Sequence, residues 1–96
     1  MVGEPAEIFL EDLYWDEEIR EHIRRHSIEQ EDVEAVLRGG PRFFSNLPGR
    51  AASHVMLGYD GKGRALYVAI QQMSDTTWAP VTAWESRQAR RLLEES

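Results

Sequence analysis

Of the eleven basic side chains, ten are Arg and one is Lys. That bias directs attention to phosphate, because the planar guanidinium binds phosphate oxygens bidentately and stays charged at any working pH. Arg50 in a loop, Arg64 at a strand start, and Arg87 and Arg90 on the last helix are placed to converge on one face of a sheet, with Arg91 beside Arg90. His54 is the single histidine of the second half. Its unperturbed pKa near neutrality suits it to give or take a proton. Each has a plainer reading. The arginines can be solvated or paired at helical spacing with Glu85, Glu94 and Glu95, His54 can face solvent from a strand, and Tyr59 and Tyr67 read as packing residues.

Glu18, His22 and His26 stand four apart and so share one helix face, a ladder able to hold a metal. The zinc-peptidase motif needs Glu directly after the first His, where this chain has Ile23, so no metal site is expected. Gly39-Gly40 and the glycines from Gly58 to Gly63 read as turns. They form neither a phosphate-cradling loop nor a nucleophile elbow.

Charge is unevenly distributed. Met1 to Leu37 carries twelve acidic residues against three Arg, a net of −9, whereas Arg38 to Ser96 is +3 within an overall −6. The imbalance argues against general nucleic-acid coating and for a local polyanion- or partner-facing surface. The absence of Cys removes disulfides, thiolate nucleophiles and Cys-based zinc sites. No apolar run approaches the roughly 18 residues of a spanning helix, and Met1-Val2-Gly3-Glu4 lacks a basic signal-peptide start, so a cytoplasmic protein without membrane contact is expected.

The elements that must hold these groups follow from periodicity. A loose start includes a short strand-like run at Ile8, Phe9 and Leu10. Asp16 then caps a helix opening with Glu17 and Glu18, whose face is Trp15, Ile19, Ile23 and His26. Ser27 with Gln30 has capping-box spacing for a second helix carrying Val33, Val36 and Leu37, stopped by Arg38-Gly39-Gly40-Pro41. The short turn between them predicts a helical hairpin. Strands follow at Arg42 to Asn46, Ser53 to Tyr59, Arg64 to Gln72 and Thr77 to Ala83, with Asp60-Gly61-Lys62-Gly63 as a hairpin turn and Pro80 marking an edge or bulge. The result is one α+β domain over residues 1–96: a helical hairpin and a C-terminal helix packed on a three- to four-stranded antiparallel sheet.

In that order, Trp15-Asp16, His26-Ser27-Ile28, Leu57-Gly58 with the following turn and Arg64, and Ser86-Arg87 with Arg90, Leu92 and Glu94 make the chain resemble the BrnT branch of the RelE-like toxins. These are small ribonuclease toxins encoded beside an antitoxin. The resemblance runs from Leu13 to Glu95. It implies a translation-inhibiting endoribonuclease working without metal or other cofactor, with RNA as substrate and a protein antitoxin as partner, and it leaves homo-oligomer formation open. RNA cleavage by a 2′-hydroxyl needs a base or positioning group, cations around the phosphate and an acid for the leaving oxygen. Arg64, Arg90 and His54 are the catalytic candidates under this resemblance, and Arg50, Arg87 and Arg91 the phosphate-binding ones. The chain also departs from the family pattern. Ala52-Ser53-His54 and Trp84 stand where members carry Arg, Ala89 replaces an acid and Leu93 an aromatic. Those departures keep a second class in view, a non-catalytic member acting as a protein- or RNA-binding regulatory module.

Overall fold

The structure is a computed structural model that describes residues 2–95. The elements run β1 (Asp12–Leu13), α1 (Glu17–Arg24), α2 (Gln30–Arg38), β2 (Arg42–Ser45), β3 (His54–Tyr59), β4 (Ala65–Gln72), β5 (Thr77–Glu85) and α3 (Arg87–Glu94). The α+β class is as expected, but the sheet has five strands in the order β1-β5-β4-β3-β2 and is mixed, because β1 pairs parallel with β5 at Thr77 and Trp78. A two-residue strand is too short to show period 2, which is why it escapes pattern reading.

The strand-like run at Ile8 to Leu10 is instead part of a strap. Gly3 to Ala6 hydrogen-bond along the outer edge of β2. The chain then crosses the sheet with Ile8 and Leu10 packed against the core and Phe9 79% exposed, before reaching β1 at the opposite edge. In, out, in is the same alternation a strand would show. The Phe9 carbonyl accepts from Trp78 Nε1 at 2.8 Å and fixes the crossing.

Successive residues of each strand serve opposite faces. One face presents Phe43, Met56, Leu66, Val68, Ile70, Trp78 and Ala83 to α1 and α2, which contribute Ile23, Val33 and Val36. Gly58 lies under α2, where an added Cβ would sit 2.8 Å from Val36 Cγ1. The other face presents Phe44, Val55, Leu57 and Ala65 to α3, which contributes Ala89 and Leu92. The helical hairpin and the C-terminal helix therefore sandwich the sheet.

Caps define the helices. Asp16 accepts from the Ile19 N–H at 2.8 Å and Ser86 from the Ala89 N–H at 3.0 Å. The α2 start differs from expectation. Ser27 adopts a left-handed conformation (φ 62°) as the turn residue, so the N-cap falls two residues later at Glu29, whose N–H donates to Asp32 at 2.8 Å. In β5 the register shifts at Pro80, which faces Ile70 and offers the ladder no N–H.

Candidate nucleic-acid interface

Because α3 is short, it covers only part of its face of the sheet. Beside it lies a cleft of about 240 Å³ lined by the 46–52 loop, β4, β5 and the start of α3. Ala52 and Ala69 keep its floor low, Thr82, Ser86 and Gln88 supply polar groups, and Arg50 stands at its rim. Tyr67 and Trp84 are direct partners across β4 and β5, so their rings meet on this face, stacked at 4.3 Å and 16°. Trp84 remains 36% exposed.

The rest of the wall is held in place. Asn46 Oδ1 accepts from the Leu47 N–H at 2.8 Å and from the Tyr67 hydroxyl at 3.2 Å, while Nδ2 donates to the Ala52 carbonyl at 3.0 Å. Burial pushes the Tyr67 phenol above its ordinary pKa against the opposing pull of the Arg50 charge, so it stays a neutral hydrogen-bond donor. Arg50 itself is exposed and makes no side-chain hydrogen bond or ion pair among the described residues. The cleft thus offers a flat ring on which to stack, an unpaired guanidinium and several neutral polar groups. Its lining includes no histidine and no carboxylate.

The expected convergence of arginines does not occur as drawn from sequence. Arg64 turns to the opposite side of the molecule. Its Nε donates to Asp60 at 2.7 Å, Nη1 to the Ser27 carbonyl at 3.0 Å and Nη2 to Asp32 at 3.1 Å. Asp60 in turn accepts from the backbone N–H groups of Lys62 and Arg64. Burial of the Asp60 carboxyl would raise its pKa, but these hydrogen bonds and the guanidinium charge outweigh it and hold the value below the ordinary one. For Arg64, burial is likewise outweighed by Asp60, Asp32 and Glu85, which lock the cation on. The guanidinium ties the β3–β4 turn to the left-handed turn between α1 and α2.

Arg87 and Arg90 lie on the α3 side, lining a separate hollow of about 310 Å³ with Glu85 and Ser86. Arg90 packs over the Tyr59 ring at 5.5 Å and donates to the Gly63 carbonyl at 2.8 Å. Arg91 is exposed in the last turn of α3. His54 belongs to the α1/α2 face, where its ring meets Trp78 edge-on at 5.3 Å and Nδ1 lies 2.8 Å from Ser53 Oγ. Of the six candidates, Arg50 alone lines the cleft. Of the metal ladder, His22 and His26 sit 6.1 Å apart edge to face, and no group of three or more metal-ligating side chains forms among the described residues.

Asn46, Thr82 and Gln88 are site residues that sequence reasoning did not single out, and Trp84 entered it only as a departure from a pattern. Trp84 had a signal, as a large aromatic where the family pattern has Arg, yet its partnership with Tyr67 depends on register across a bulge. Two still larger hollows suit a polyanion poorly. One lies open between the strap and Pro41 to Phe43, and another, over α2, is lined by Glu31, Asp32 and Glu34. No helix among the described residues is long and apolar enough to cross a membrane. The chain matches no protein-family model, no curated protein and no solved structure.

Proposed function

We propose that this chain binds single-stranded RNA in the cleft beside α3 and acts as a BrnT-like toxin component, restraining translation by engaging RNA, with a protein antitoxin as its partner. The observation that carries this reading is the exposed Trp84 ring stacked on Tyr67 next to the unpaired Arg50. Aromatic platforms bind unpaired bases without reading their edges, and a neighbouring Arg takes the phosphate. The location fits an acidic protein. α1 and α2 carry six of the seventeen carboxylates and lie across the sheet from the cleft, whose own lining offers Arg50 and no carboxylate.

A non-catalytic member of the same scaffold is the second reading. One observation favours it: Arg64 is held by three protein acceptors and His54 lies on the opposite face, which leaves the cleft without a histidine or carboxylate to move a proton.

Titration with a labelled single-stranded RNA tests the binding. Affinity falls as salt rises, with a slope of about 0.7 per phosphate contact. Trp84→Ala weakens binding by about 10-fold or more while the fold, read by circular dichroism, is kept. Absence of binding at low salt, or indifference to salt, rejects the proposal. Expression without an antitoxin then separates the two readings. Growth arrest with fragmented RNA identifies a ribonuclease, whereas RNA binding with intact RNA identifies the non-catalytic module.

A further inference from the structure

The Tyr67–Trp84 stack is the inner end of a longer column of rings. His26, in the turn just after α1, lies 6.1 Å from Trp84 at an interplanar angle of 56°, and His22 lies 6.1 Å from His26 at 66°. Both histidines are exposed, His22 on α1 and His26 in the turn that follows it. Tyr67 and Trp84 are in close parallel contact, whereas both histidines are tilted and exposed.

The edge around which this column passes is open. β5 is paired on its outer side at Thr77 and Trp78 alone, which leaves the stretch from Ala79 to Glu85 without a strand neighbour among the described residues. A shallow hollow lined by Glu18, Ile19, His22 and Val81 marks where α1 meets the bulged part of β5. Arg25, next to His26, is exposed and makes no side-chain hydrogen bond or ion pair among the described residues, so a free cation stands beside the middle of the path.

We propose that the RNA track continues from the cleft around the open edge of β5 onto α1, with Trp84, His26 and His22 as successive stacking positions for one extended single strand. This rests on the cleft's being an RNA site, and it adds a minimum ligand length. A dinucleotide fills the cleft alone, whereas a hexanucleotide reaches the histidines.

The test measures fluorescence anisotropy of labelled oligoadenylates of two and six nucleotides with the full chain and with the double variant His22→Ala/His26→Ala. In the native chain the hexamer binds at least about 10-fold more tightly than the dimer. The double variant loses that advantage and binds the dimer unchanged. His22→Phe/His26→Phe retains the tight hexamer binding, because ring faces rather than imidazole charge supply the stacking. Should the alanine variant bind the hexamer as well as the native chain while Trp84→Ala weakens both ligands, the track is overturned and the cleft stands. An alanine variant that loses dimer binding too, or a phenylalanine variant that fails to bind the hexamer tightly, also overturns the track. If neither oligonucleotide binds the native chain, the RNA reading fails and the track with it.

Discussion

Arg64 and Arg50 are the same side chain in two settings, one on each side of the sheet. Around Arg64, each guanidinium nitrogen donates to an acceptor, and two of its partners, Asp60 and Asp32, are buried carboxylates only 6% exposed. Around Arg50 there is a cleft, a neutral phenol and no carboxylate in the lining. The first cation is locked on and holds two turns together; the second is free to meet a ligand. What decides between fastening and binding is the charge and burial of the surroundings, which depend on which loops the fold brings together.

The largest effect comes from breaking the fastened side. Arg64→Ala leaves Asp60 and Asp32 without their guanidinium and releases the Ser27 turn, and is expected to destabilise by about 3 kcal/mol in urea unfolding. Arg50→Ala changes the unfolding midpoint little, since it removes an exposed side chain without a bonded partner. Equal losses from the two would erase the contrast.

Next in size is a pair of alanines. Ala83 is fully buried against α1 and α2, so Ala83→Leu overpacks that core and costs about 1–3 kcal/mol. Ala69 floors the cleft, where Ala69→Leu has space to extend. It is expected to leave stability nearly unchanged and to block RNA binding in the anisotropy titration.

Acid provides a third comparison. The Asp60 pKa is lowered in the folded state, so its contribution is complete above the unfolded value of about 4 and is lost as pH falls through the folded one. The urea midpoint should therefore hold between neutral pH and about pH 5 and drop below about pH 4. That drop becomes shallower in Arg64→Ala and is unaltered in Arg50→Ala.

The smallest effects sharpen the comparison without deleting charge. Arg50→Lys keeps a cation at the cleft rim and should weaken RNA binding by only a few-fold, whereas Arg64→Lys cannot reach three diverging acceptors and should lose roughly 1–2 kcal/mol of stability. Similar tolerance at both positions would mean that Arg64 acts as a point charge and not as a fork.

The sequence by itself determined the local grammar of this protein. Asp16 caps α1, Gly39-Gly40-Pro41 follows the end of α2, a run rich in β-formers marks β4, and Pro80 falls at the register shift of β5. These are short-range effects of backbone geometry and period, and they are legible because they act within a few residues of their cause. Ser27 shows the limit even there: a good capping residue is used instead in a left-handed turn whose carbonyl Arg64 binds from 37 residues away. Tertiary structure alone decided which face each strand residue serves, that the hairpin and α3 lie on opposite faces, and that Trp84 meets Tyr67. It also sent Arg64 to two buried carboxylates and left Arg50 beside an open cleft. Pairing register and the partners of a charge are set by residues distant in the chain, and one residue of slip would exchange the two faces of a strand.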